Sequence, residues 1–337
     1  MPSDRLAPLI VSALLTAATL GACSTEDPPS PGAPIPAGEH IFVVNAQSSD
    51  VRIHDATTLA PVGDPIGVGP VPSDIALSPD GTRAYVLSPT SNDVTVIDTT
   101  TCRTVGAPLR VSNYPSDLAV TPDGSRLYVT GGETDDVRAY DIATGDQLGA
   151  PLRVGDAPGG LALTPDGKWI YASSVYQDDV RVIDTATWAV VGNPIAVGRA
   201  PAAMTVAPDG KRVYVAGQYS GDVTVIDTET RTVIGAPVPV GNFPSAVLAS
   251  SDGTRVFVAG QNSNDVRVLD TRTLQVVGAP IPTGEAPDGL AESIDGSRLY
   301  VTNMYSNDVT VIDTSTLQPV QSDPFASTPR GIAVTET

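Results

Sequence analysis

The sequence predicts an all-β protein: a seven-bladed β-propeller of four-stranded antiparallel blades, its ring closed by pairing the C-terminal strand with the N-terminal three strands. Three observations carry this prediction. An Asp-Val step recurs at Asp50, Asp93, Asp136, Asp179, Asp222, Asp265 and Asp308, always 43 residues apart. Each copy holds four short apolar runs separated by turn residues, and a four-stranded unit of that length is the size of one propeller blade. The first copy starts directly at the run His40 to Asn45, whereas the chain finishes on an unpaired run, Pro329 to Thr335. That last run has the pattern of a first strand and completes the blade begun at His40.

The copy starting at Pro115 justifies each element in order. Its first run, LAVT, ends at Pro122-Asp123-Gly124, where proline presets φ and glycine accepts positive φ, a turn with a mechanism. RLYVTGG and VRAYD then flank the polar stretch around Thr134-Asp135-Asp136 and read as a β-hairpin. The clearest version of this hairpin is Arg298 to Thr316. The fourth run carries a proline in nearly every copy: Pro65, Pro108, Pro151, Pro194, Pro237 and Pro280. Proline cannot donate to a ladder, so the fourth strand belongs at the outer edge and the first at the centre.

Residues 1–22 read as an export signal. Arg5 precedes an apolar segment, Leu6 to Leu20, that is short for a membrane span of ~20 residues. Residues 23–39 are rich in proline and polar residues and suit a semi-rigid tether. The propeller occupies 40–337. The formal charge of −19 argues against a nucleic-acid partner, which requires a basic surface, and suits a soluble monomeric ring. Two cysteines, Cys23 and Cys102, are present. Cys102 takes a slot filled by Leu59, Trp188, Leu274 and Leu317 in other copies. It reads as a buried structural cysteine.

Two resemblances extend this reading. Leu20-Gly21-Ala22-Cys23 resembles the bacterial lipobox, with a leucine three before the cysteine and small residues between. The resemblance implies cleavage before Cys23, diacylglycerol on its thiol, and a chain held in the outer membrane or the outer leaflet of the cytoplasmic membrane, facing outside the cytoplasm. Leu299 to Asn303, followed by SNDVTVIDT, resembles the YVTN family of seven-bladed propellers, and the likeness covers about residues 40 to 337. It implies the fold and a cell-surface setting. It does not imply one activity, because its relatives include dehydrogenase subunits, haem-containing reductases and lactonases.

Chemistry has few places to sit. There is no CxxCH for covalent haem, only His40 and His54 among the histidines, and no nucleophile elbow, phosphate loop or zinc motif. No cofactor or metal is expected. The repeated aspartates, from Asp55 through Asp98 to Asp313, read as turn caps. Function is expected where copies differ, on the face shared by the loop leading into each first strand and the hairpin tip. There the copies carry Tyr114, Tyr176, Tyr219, Phe243, Met304, Tyr305 and Arg199, either packing over the blade tops or serving as interface anchors for a protein, peptide or glycan. Asp74, Asp117, Asp288 and Arg330 should border the central channel. They offer an alternative, a lactonase-like hydrolase or lyase at its mouth.

Overall fold

The computed structural model describes residues 37–324 and 327–336. The lipobox-like segment, Cys23 and most of the proline-rich stretch lie outside them. The described chain forms seven antiparallel sheets arranged as one ring of blades. Blade 1 combines Glu39–Asn45, Asp50–Asp55 and Pro61–Gly67 with the terminal strand Pro329–Glu336. Blades 2 to 7 begin at Asp74, Pro115, Pro158, Pro201, Pro244 and Pro287. The one-plus-three closure is as the sequence predicts, with His40 opposite Thr335, Ile41 opposite Val334 and Val43 opposite Ile332.

In every blade the first strand is innermost and the proline-bearing fourth strand is outermost. In blades 1 to 6 the Gly-x-Pro segment disturbs that outer pairing. Blades 1, 3, 4 and 6 shift register there, while blades 2 and 5 break the strand in two, as in Arg103–Thr104 followed by Leu109–Arg110. Proline at the rim therefore costs only edge pairing.

The apolar interior is not one continuous core. It divides into seven clusters, each joining two neighbouring blades. Tyr214, Val223 and Val225 of blade 5 meet Val256, Val258 and Leu269 of blade 6, and Tyr300 and Val309 of blade 7 meet Ile41 and Val43 of blade 1. Strand alternation explains this, since successive side chains point to opposite sheet faces and each blade packs against both neighbours.

Polar stitches reinforce the seams. The Tyr171 hydroxyl donates to Thr228 O at 3.5 Å and that of Tyr300 to Ala56 O at 2.7 Å. Arg298 Nη1 donates to Ala56 O and Thr57 O, both at 3.1 Å. Arg212 and Arg255 make the corresponding bonds to Thr271 O and Thr314 O. The seam that closes the ring, between blades 7 and 1, thus uses the same devices as the others.

Strand direction defines two faces. First strands start, and the second-to-third hairpins turn, on the upper face. The Pro-Asp-Gly turns and the third-to-fourth turns lie on the lower face. Blade 1 is entered at Glu39, the lower end of a second strand, and Glu39 pairs with Glu336 there.

Candidate functional site

The upper face is built by a backbone device repeated around the ring. The residue before each leading proline has positive φ: 51° at Val71, 48° at Tyr114, 50° at Ala157, 53° at Ala200, 58° at Phe243, 56° at Ala286 and 61° at Thr328. Left-handed backbone is unfavourable for such residues, by order of 1–3 kcal/mol. In five copies a side chain at the preceding hairpin compensates by accepting the strained residue's N–H. Asn92 Oδ1 takes Tyr114 N–H at 2.7 Å, Asp135 takes Ala157 N–H at 3.0 Å and Asp178 takes Ala200 N–H at 2.8 Å. Asn264 and Asn307 serve Ala286 and Thr328 in the same way. The remaining copies have Ser49 and Gly221 at that position, which offer no amide or carboxylate.

The hairpin tips are pinned as well. Tyr176 N–H donates to Asp156 O at 3.4 Å, Tyr219 N–H to Arg199 O at 3.1 Å and Tyr305 N–H to Glu285 O at 3.0 Å. On these fixed backbones the side chains of Tyr176, Tyr219 and Tyr305 are 71%, 67% and 70% exposed, and Tyr114 is 52% exposed. Phe243 is half-buried and its ring lies 5.9 Å from that of Tyr219. Arg199 is exposed and its Nη2 donates to Tyr219 O at 3.2 Å. Met304 is buried; its sulfur accepts from Arg330 Nε at 3.3 Å, so it positions the arginine instead of projecting from the face.

Inward from this face, a cavity of 330 Å³ brings together Asp74, Asp117, Asp288 and Arg330. They come from two slots. Asp74 and Asp117 hold the second position after the leading proline in blades 2 and 3; Asp288 and Arg330 hold the first position in blades 7 and 1. The Asp74 and Asp117 carboxyls lie close enough to interact as a pair. Asp117 also accepts Leu118 N–H at 2.7 Å and, across the next seam, Leu161 N–H at 2.6 Å. Asp74 accepts Ile75 N–H at 2.8 Å. Asp288 pairs with Arg330 at 3.4 Å.

These carboxyls are partly buried and line the channel cavity. Desolvation raises Asp74 to about 6, partly offset by the Ile75 N–H and by the interaction with Asp117, with the Asp288 charge pushing upward again. Desolvation and then the charge of Asp74 hold Asp117 well above the ordinary carboxylate range. Asp288 is raised by desolvation and pulled back by Arg330. Two carboxyls in contact titrate as a pair and share a proton.

The repeated aspartates are turn caps in the structure. Asp55 Oδ1 accepts Thr57 and Thr58 N–H at 3.0 and 2.7 Å, and Asp313 Oδ1 accepts Ser315 and Thr316 N–H at 3.0 and 2.8 Å. Hydrogen bonds from the Ser315 hydroxyl and the Thr316 N–H hold Asp313 down to about 2. Among the described residues no group of three or more metal-ligating side chains converges. Cys102 is half-buried, less enclosed than the apolar slot suggests; its φ of 52° is positive like those of Leu59, Trp188, Leu274 and Leu317, and its thiol donates to Thr99 O at 3.6 Å. Desolvation, with the Asp98 charge, pushes its thiol up to about 11.

Sequence reasoning placed the upper-face and channel groups but missed the carboxyl–carboxyl contact. The signal was available, because residues 43 apart in the innermost strand are neighbours where the ring is narrowest.

A family profile described as a YNCE-like β-propeller matches residues 5–336, and the chain belongs to that family. No curated protein sequence matches it. Among solved structures it is similar to hydrazine synthase of Kuenenia stuttgartiensis, at 23% identity and TM-score 0.69, covering 79% of this chain and 95% of that one. A protein of unknown function from Desulfotomaculum acetoxidans DSM 771 is 18% identical with TM-score 0.77, covering 88% and 99%. The dihydro-heme d1 dehydrogenase NirN is 17% identical with TM-score 0.66, covering 87% and 74%. At such identities the likeness shows the fold alone.

Proposed function

We propose that the protein is a YVTN-type propeller exported as a lipoprotein, anchored in the cell envelope through an acylated Cys23, and that its upper face is a docking platform for a protein, peptide or glycan. The observation that carries this reading is the set of tyrosines at equivalent hairpin tips of blades 4, 5 and 7, about 70% exposed on backbones pinned by the lead-in loops. Large amphipathic side chains held rigidly in solvent lose little conformational entropy on binding, which is why tyrosine is favoured at interfaces. Topology supports the orientation. The segment preceding Glu39 joins the lower face, so a tether from Cys23 leaves the tyrosine face directed away from the membrane.

Replacing Tyr176, Tyr219 and Tyr305 together by alanine tests the platform. Each side chain is mostly in water, so each change should alter stability by no more than about 0.5 kcal/mol. Binding to envelope material should fall by at least tenfold, since truncating an interface anchor costs about 2 kcal/mol. Undiminished binding would refute the assignment. Radiolabelled palmitate incorporated by the wild type and not by Cys23→Ser tests the anchor.

The channel favours a second reading, a hydrolase or lyase acting on a small molecule. Its support is the coincidence of a concave pocket with carboxyls displaced upward and an arginine. A lactone and ester panel at high protein concentration tests it, and no turnover would remove it.

A further inference from the structure

On the lower face, the seam between blades 5 and 6 opens into a cavity of 700 Å³, against 210 Å³ for the cavity at the next seam, between blades 6 and 7. The two seams are built from equivalent positions, so their differences can be read directly. Asp209, Arg212, Asp252 and Thr271 of the larger cavity correspond to Asp252, Arg255, Asp295 and Thr314 of the smaller. Three of the positions that differ carry an added charge or hydroxyl in the larger cavity. Lys211 stands where the neighbouring seam has Thr254, Tyr214 where it has Phe257, and Arg272 where it has Ser315. The smaller seam is also closed by Glu292, whose carboxylate accepts Ser251 N–H at 2.6 Å. The larger has Ala249 and Pro208 at those positions, and no such latch is possible.

Tyr214 supplies an independent sign. Its side chain is fully buried, it lines the cavity, and its hydroxyl makes no hydrogen bond. At other seams the equivalent hydroxyls of Tyr171 and Tyr300 donate to the carbonyl of the next blade. Here the corresponding carbonyl, Thr271 O, accepts from Arg212 alone, whose guanidinium lies close to the phenol, whereas Ala56 O accepts from both Arg298 and Tyr300. A buried hydroxyl without a partner is costly, by roughly 1–3 kcal/mol, unless something else satisfies it. Of the two carboxylates in the wall, Asp252 is occupied by Ser250 and Thr254, and Asp209 by Lys211 N–H.

We propose that this cavity binds a phosphate group, with Lys211, Arg272 and the Tyr214 hydroxyl as the donors and the remaining N–H groups of Arg212 beside them. Three cations against the two carboxylates of Asp209 and Asp252 leave this wall net positive in a protein of net charge −19, which suits an oxyanion, and arginine's planar fork suits phosphate oxygens. The phosphate is carried by a small phosphorylated molecule or by a lipid headgroup. The lower face is the one that the chain enters, so both sources can reach it.

Three substitutions borrowed from the neighbouring seam, Lys211→Thr, Tyr214→Phe and Arg272→Ser, keep the fold testable because those residues already work in that setting. Calorimetric titration of the unacylated Cys23→Ser chain with inorganic phosphate and with glycerol phosphate should show binding. Co-sedimentation with phosphatidylglycerol vesicles, against phosphatidylcholine vesicles, separates the lipid source. Binding in either arm that the triple substitution weakens at least about tenfold supports the site. Binding in neither arm, or equal binding by the substituted chain with an unchanged melting temperature, overturns it.

Discussion

Asp74→Asn is the sharpest perturbation the channel offers. The amide is an isostere of the protonated acid. Its oxygen can keep the Ile75 N–H bond and its NH₂ can donate to Asp117 without a shared proton. The magnitude follows from linkage. A carboxyl that ionises at about 6 in the ring, against an ordinary 3.8, binds more protons folded than unfolded between those values. Its stabilising contribution is fully present below 3.8 and is lost as pH rises through about 6, at ~1.4 kcal/mol per pH unit and up to about 3 kcal/mol in all. Access to channel water makes that a ceiling. Asp117, Asp288 and Arg330 face the same space, and Asp117 adds a second loss at higher pH. The opposite sign applies to turn caps such as Asp123, Asp295 and Asp313, which hydrogen bonds hold at about 2; their contribution is lost only as pH falls below about 4. Wild-type stability should therefore peak near pH 4 and decline toward neutrality. Urea unfolding from pH 4 to 7.5 should show that decline for the wild type and a shallower one for Asp74→Asn, in which the losses from Asp117 and Asp288 remain. Parallel curves would refute the proton-sharing pair.

Two further outcomes follow from the seams. Tyr300→Phe should destabilise the ring by about 1 kcal/mol, because it removes a 2.7 Å bond to Ala56 O, whereas Tyr214→Phe should be neutral or stabilising; equal effects in chemical denaturation would contradict the hydrogen-bond assignments. The Cys102 thiol, pushed up to about 11 by desolvation and Asp98, should react with iodoacetamide at pH 8 far more slowly than glutathione, and a comparable rate would mean that the seam opens in solution.

The fold was legible because a repeat states its pattern seven times. Proline in the fourth run marked the rim, and Pro329 to Thr335 marked the strand that closes blade 1. The site was legible only in part. Alternation of strand direction placed Tyr176, Tyr219 and Tyr305 on one face, and the structure shows their exposure. It did not show that Met304, adjacent to Tyr305, turns inward to hold Arg330, because neighbouring residues at a hairpin tip point to opposite sides. Nor did it show that Tyr214 lacks the partner that Tyr300 has. That difference lies in side-chain geometry, because Ala56 O accepts from both Arg298 and Tyr300 whereas Thr271 O accepts from Arg212 alone. The spacing of the repeat does put Asp74 and Asp117 in equivalent slots of adjacent blades. Their contact then follows from the narrowness of the ring at its innermost strands.

The central claim is that the upper face recognises an envelope component. It is tested most directly by measuring retention of the unacylated Cys23→Ser chain on immobilised, lipid-extracted envelope fractions, alongside the same chain with Tyr176, Tyr219 and Tyr305 replaced by alanine and the same chain with the lower-face triple substitution. The account predicts saturable retention that the tyrosine replacements reduce at least tenfold and the lower-face substitutions leave unchanged. Retention that survives loss of all three tyrosines would contradict it.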